Sequence, residues 1–155
     1  MSEENFERPF SADELRTLTS VLDEIIPPSV ERNLPGAGEA GVAAYVDAAL
    51  RKAVELRPVI VQGLADLEAQ ARSRFGQSFA ALSKTEKGAL LNEQGFIFPL
   101  MLHAYIGYYQ NERVVSALGL PLRPPHPQGY EMERSDLSLL DVVRRRPKMF
   151  RTLPE

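Results

Sequence analysis

The feature that most constrains this chain is one apolar run, residues 95–109, which reads GFIFPLMLHAYIGYY. Its only ionisable side chains are one histidine, His103, and three tyrosines. A membrane-spanning helix needs about 20 apolar residues, so this run is too short to cross a bilayer. In a soluble protein, a helix that is apolar on all sides is normally central and buried. We therefore predict a core helix over about residues 96–109, around which the other helices pack.

Helix start and stop signals divide the rest of the chain into further helices. Ser11 and Ser83 each stand three residues before a glutamate, which is the capping-box pattern that begins a helix. Apolar residues recur at helical spacing after Ser11 until two prolines, Pro27 and Pro28, end the first helix. The predicted helices cover about residues 11–26, 39–57, 58–75, 83–92, 96–109, 111–118 and 135–146, and Ser135 is expected to cap the last one.

These segments predict an all-α, compact, single-domain bundle of about six or seven helices, because no convincing strand or internal repeat is visible. Phe6 and Phe10 lie in an N-terminal arm and can dock on the core. The predicted organisation is a loose arm (1–10), a helical domain (11–146) containing an extended proline-rich segment (120–134), and a basic C-terminal tail (147–155).

Composition excludes several classes of function. The formal net charge is -3, so the chain has no general attraction for nucleic acid or for an anionic membrane. There is no cysteine, which excludes disulfides, thiolate metal sites and cysteine nucleophiles. The N-terminus MSEENFERPF is acidic and lacks the apolar stretch of a secretory signal, so a cytoplasmic location is expected.

No pattern typical of a catalytic, cofactor or metal site is visible. The two histidines, His103 and His126, lie in different elements, and no metal-binding motif includes either. Asp47 and Glu55 fall on or near the polar face of the second predicted helix, and we interpret both as solvated rather than as an acid–base pair. Phosphate binding by the glycine-rich stretch 35–41 is an alternative to a simple turn and helix start, but the stretch has no lysine and follows no strand.

The tyrosines at the end of the apolar run are candidates for binding a partner. Tyr105 and Tyr109 share one helix face and Tyr108 is adjacent, an arrangement that fits core packing as well as a partner-binding patch. The nearby PPHPQGY stretch adds further candidates, and the full set is Tyr105, Tyr108, Tyr109, Pro127, Gly129 and Tyr130. His103 is the candidate for a pocket residue.

Several motifs together resemble a known family. LDEIIPP (22–28) is followed by PGAGEAGVAAYVD (35–47), FAALSKTEKGALL (79–91), GYYQNERVVSALG (107–119) and PHPQGY (125–130). In this order and spacing they are similar to subunit 3, the small (gamma) subunit, of gluconate 2-dehydrogenase.

That resemblance implies a non-catalytic accessory or maturation subunit with no cofactor of its own. The implied partner is a large flavoprotein subunit, a flavin-dependent dehydrogenase of the glucose-methanol-choline type. The family's twin-arginine signal has no counterpart here, so a periplasmic location is expected only if the chain is exported with a signal-bearing partner.

Two alternatives remain open on the sequence. The first is a stand-alone protein that binds a small molecule in a pocket near His103 and Tyr105. The second is a small enzyme that uses His103 as a base.

Overall fold

The computed structural model describes residues 9–122 and 135–147, and these residues form seven α-helices and no strand. The predicted all-α fold is confirmed. The helices are α1 (Ala12–Ile25), α2 (Val42–Lys52), α3 (Leu56–Phe75), α4 (Lys84–Leu91), α5 (Ile97–Tyr109), α6 (Glu112–Ala117) and α7 (Asp141–Arg144). The chain divides after Leu122 into a larger helical unit and a smaller one.

The helix starts are those that the capping signals predict. At α1 the Ser11 hydroxyl accepts a hydrogen bond from the Glu14 amide, and the Glu14 carboxylate accepts one from the Ser11 amide at 2.7 Å. The same reciprocal pair forms between Ser83 and Glu86 at the start of α4. Each box satisfies two amides that would otherwise have no partner at a helix start.

Helix α1 lies at the centre of the larger unit. It packs against α2, α3, α4 and α5, and also against the 3-10 turn Phe79–Ala81. Its buried apolar residues are Leu18, Val21 and Leu22. Helix α5 packs mainly on α2, with further contacts to α1 and α6.

The boundary between α2 and α3 differs from the prediction. Helix α2 begins only at Val42, after Gly41 adopts a left-handed conformation with φ of 80°. It ends at Lys52, and α3 starts at Leu56, so the new helix begins two residues before Pro58, which lies in its first turn. Proline costs little there because first-turn amides have no partner within the helix.

The predicted last helix is wrong in length and cap. In place of one helix over 135–146, the smaller unit has a 3-10 turn, Leu137–Leu140, followed by the short helix α7. The cap is Asp136, whose carboxylate accepts a hydrogen bond from the Ser138 amide, and not Ser135. The Asp136 carboxylate thereby satisfies one of the free amides at the start of the 3-10 turn, as an N-cap does.

Candidate functional site

Only one face of helix α5 is buried. Leu100, Ala104, Gly107 and Tyr108 face the interior. At Gly107 the helix comes so close to α2 that a Cβ atom would lie 2.5 Å from the Tyr45 ring and 2.9 Å from Val42. Glycine therefore allows the two helices to meet at short range.

The opposite face of α5 is apolar and open. Phe98, Leu102, Tyr105 and Tyr109 have exposed fractions of 83, 62, 40 and 58 %. Their spacing of four, three and four residues places them on one side of the helix, and we call these four residues the α5 stripe. Large exposed apolar groups in one row are typical of a surface that binds another molecule.

The stripe corrects one expectation from the sequence. The run over residues 96–109 forms the predicted helix, but the prediction that it is buried on all sides is wrong. Phe98 and Leu102, which composition assigned to the core, lie at the surface. The composition of a helix shows how apolar it is, but the elements that pack against it decide how much of its surface is buried.

The three tyrosines of α5 play different parts. The rings of Tyr105 and Tyr109 are stacked, with centroids 6.5 Å apart, and Tyr108 meets Tyr109 edge-on at 5.3 Å. Tyr108 is buried, and its hydroxyl donates a 2.8 Å hydrogen bond to the Pro35 carbonyl. Tyr108 thus holds the aromatic end of the helix in place, while Tyr105 and Tyr109 present their rings at the surface.

Further bonds tie this end of the helix to residues 35–40. The side-chain amide of Asn111 donates a 2.7 Å hydrogen bond to the Ala40 carbonyl. Arg113 donates to the Glu39 carbonyl and also pairs with the Glu39 carboxylate at 3.2 Å. The end of α5 and the start of α6 are therefore fixed to the loop before α2.

Burial raises the pKa of the Tyr108 hydroxyl, and the nearby charges of ionised Tyr109 and of Glu39 raise it further. The unfolded chain has the ordinary tyrosine pKa of about 10. The stability that comes from the protonated hydroxyl is therefore complete below about pH 10, and it is lost as the pH rises through the raised pKa of the folded state.

Tyr108→Phe tests this anchor. We expect the free energy of unfolding at neutral pH to fall by about 1–2 kcal/mol, because the Pro35 carbonyl loses its donor. Above about pH 10 the wild type should lose stability more steeply than the variant, which has no hydroxyl to titrate there. Urea unfolding at both pH values measures this, with Tyr105→Phe as the matched control. Equal pH dependence in wild type and Tyr108→Phe would contradict the assignment.

His103 is half-buried on α5, and its Nδ1 atom is buried without a hydrogen-bond partner in the described part of the chain. Two described cavities lie elsewhere. One, of about 490 Å³, lies between α1 and α3 and is lined in part by Thr17, Leu64 and Glu68. The other, of about 370 Å³, is lined by the loop before α2 and by Arg113. A pocket beside His103 and Tyr105 stays a prediction.

The glycine-rich stretch 35–41 is occupied by a side chain of α1. The Asp23 carboxylate accepts hydrogen bonds from the amides of Gly38 at 2.7 Å and Glu39 at 3.3 Å. A phosphate would need such amides to be free. The stretch is therefore a turn that a carboxylate of the same chain holds against α1, in agreement with the interpretation as a turn.

The prediction that Asp47 is solvated is wrong, because its side chain is buried. Glu55 is exposed, as predicted. The Asp47 carboxylate pairs with the buried guanidinium of Arg57 at 3.1 Å and accepts from the Phe10 amide at 3.3 Å. The Arg57 guanidinium in turn lies 4.5 Å from the centre of the Phe10 ring. Sequence reasoning missed Arg57, and the only available signal was a charged residue in the junction between two helices. Phe10 docks on the core, as the sequence allowed.

Several predicted site residues are not covered by the structure. Pro127, Gly129 and Tyr130, and with them the PPHPQGY stretch, lie outside the described residues, as do Phe6 and His126. The basic tail is described only as far as Pro147. These candidates therefore stay predictions.

Two further findings concern the described residues. Across 9–122 and 135–147, no three His, Asp or Glu side chains come together in a way that could hold a metal ion. Within the same ranges, no helix combines the length and the apolar character that a membrane span requires.

The chain belongs to the gluconate 2-dehydrogenase subunit 3 family, whose model matches residues 12–95. The match includes α1 to α4, the Asp23 contact and the Asp47–Arg57 pair, while α5 and α6 lie beyond it. No curated protein and no solved structure matches the chain.

Proposed function

We propose, from membership of this family, that the chain is a non-catalytic accessory subunit that binds a larger, flavin-dependent dehydrogenase of the glucose-methanol-choline type. The family description names a subunit of a dehydrogenase, which supports a larger partner. The observation that carries the proposal is the α5 stripe, an open apolar row on a well-anchored helix.

The stripe has the composition of the centre of a protein interface. Two of its four residues are tyrosines and one is a phenylalanine, and aromatic residues are enriched where partners meet. No residue from Gln94 to Asn111 carries a formal charge when His103 is neutral, so a partner can cover this face without leaving a charge buried and unpaired. Tyr108 and the loop bonds hold the aromatic end rigid, which reduces the entropy lost on binding.

Capture of the partner from the native host tests this function. We expect the tagged wild-type chain to retain a flavin-containing dehydrogenase, identified by mass spectrometry and by flavin absorbance. Leu102→Glu places a charge in the centre of the stripe and should reduce recovery at least about tenfold, since a buried unpaired charge costs well over 1.4 kcal/mol.

The matched control is Val59→Glu, which changes a half-exposed apolar residue in the first turn of α3. A glutamate near a helix start is favourable, so this variant should fold and bind as the wild type does. Recovery of no oxidoreductase by the wild type, or equal recovery by the Leu102→Glu variant, would count against the proposal.

A further inference from the structure

We propose that, in the free chain, the α5 stripe pairs with the α5 stripe of a second copy, and that the larger partner displaces this second copy. The inference rests on the proposed function, because it names what covers the same face before the partner binds. It concerns the stripe residues Phe98, Leu102, Tyr105 and Tyr109.

The spacing of the stripe suits the packing of two helices. Steps of four, three and four residues are those of the seam along which paired helices meet. The stripe runs from Phe98 to Tyr109, a length of about 16 Å at 1.5 Å per residue. Gly107 faces α2 on the other side of the helix, so the stripe itself is not interrupted by a gap.

The charge pattern allows a copy of the same chain to bind this face. In a two-fold interface each patch meets itself, so any charge on the patch is brought near its own copy and is repelled. Helix α5 has no Asp, Glu, Lys or Arg, and the nearest ones in sequence are Glu93 and Glu112. Helix α5 can therefore face its own copy without bringing two like charges of this helix together.

The exposed area suits a weak dimer. Taking about 200 Å² for each fully exposed side chain, the stripe offers roughly 500 Å² per copy. Two copies then bury at most about 1,000 Å², which is the lower limit for a specific interface and is typical of a weak one. Such a contact depends on concentration, and a partner that covers more surface than the stripe alone can displace it.

Sedimentation of the full-length chain, without any partner, tests the proposal from low micromolar to near-millimolar concentration. We expect the mean mass to rise from that of the monomer towards that of the dimer. Leu102→Glu should remove this rise, as should Tyr109→Lys, while Val59→Glu should retain it. Circular dichroism confirms that each variant is folded, and both stripe positions are exposed enough for a polar side chain.

A wild-type chain that stays monomeric at every concentration overturns the proposal. A monomer is also the expected result if another segment of the same chain covers the stripe, so that case overturns it as well. A dimer that persists in both stripe variants also overturns it. The sedimentation experiment contains no dehydrogenase, so the two proposals can fail separately. Absence of a dimer does not contradict binding of the dehydrogenase, and failure to capture a dehydrogenase does not contradict the dimer. Addition of the captured dehydrogenase to the dimer should return the chain to a one-to-one complex, and a dimer that survives inside the complex contradicts displacement.

Discussion

Replacing Asp47 by alanine is expected to lower the free energy of unfolding by about 3–5 kcal/mol, the usual cost of breaking a buried ion pair by removing one of its two partners. The Arg57 guanidinium is almost completely buried and pairs with Asp47 at 3.1 Å. The same carboxylate accepts from the Phe10 amide and pairs with Arg51 at 3.5 Å. Removing it disturbs the junction of α2, α3 and the N-terminal segment together. Urea unfolding followed by circular dichroism measures the loss.

Two controls separate this mechanism from a general loss of stability. The double variant Asp47→Ala/Arg57→Met removes both charges, and an apolar replacement of a buried pair is often close to neutral. It should therefore be more stable than Asp47→Ala alone. Asp66→Ala, which removes an exposed carboxylate bonded to Gln62, should change stability by less than about 0.5 kcal/mol. An Asp47→Ala variant as stable as the wild type would show that the pair does not hold the junction.

Gly38→Ala is expected to cost about 3 kcal/mol, near the upper end for forcing an extra group into a packed site. A Cβ atom at Gly38 would lie 2.5 Å from the Asp23 carboxylate and 2.5 Å from the Thr19 backbone carbonyl. The carboxylate can turn away, but the backbone carbonyl belongs to α1 and cannot. The turn must then move off the helix, and the Gly38 amide loses its 2.7 Å bond to Asp23.

Gly88→Ala is the matched control, because a Cβ atom there meets nothing within 4 Å inside helix α4. It should stabilise the chain by about 0.5–1 kcal/mol, since alanine favours a helix interior over glycine. The two variants add the same methyl group and should shift the urea midpoint in opposite directions. A shift in the same direction for both would contradict the close contact at Gly38.

The Gly38 contact also gives a physical reason for two of the motifs on which the family resemblance depends. LDEIIPP contributes Asp23, and PGAGEAG contributes the amides that Asp23 binds and the glycines that allow the close approach. Fifteen residues separate Asp23 from Gly38, so the sequence shows the two motifs only as neighbours. The fold shows that they are two halves of one contact.

The helix boundaries were largely predictable from local signals. Ser11, Ser83 and Asn111 cap the helices they precede, and Gly76 ends α3 in the left-handed conformation. Each of these signals acts over three or four residues, which is within the reach of one helical turn. The prediction failed at the last helix, where Asp136 and Ser135 stand side by side and local rules allow either residue to be the cap.

The helix that carries the candidate site was predictable, but the orientation of its side chains was not. The tyrosine-rich end of the apolar run is the predicted partner-binding surface, and this role stays a prediction. The structure adds that Tyr105 and Tyr109 are exposed there. That Tyr108 turns inward to Pro35, 73 residues away in sequence, follows from no local pattern. The predicted role of Pro127, Gly129 and Tyr130 in binding a partner stays a prediction, since those residues lie outside the described ranges.

The sequence by itself determined which segments are helical and where most of them begin, because capping, proline and glycine effects act between residues that are close along the chain. Only the tertiary structure decided which faces of those helices are covered. The apolar run proved to be a half-covered helix with an open stripe, and Asp47, on a face that looked solvated, proved to be buried against Arg57. Burial depends on which other helices arrive beside a face, and contacts between residues far apart in the chain set that arrangement.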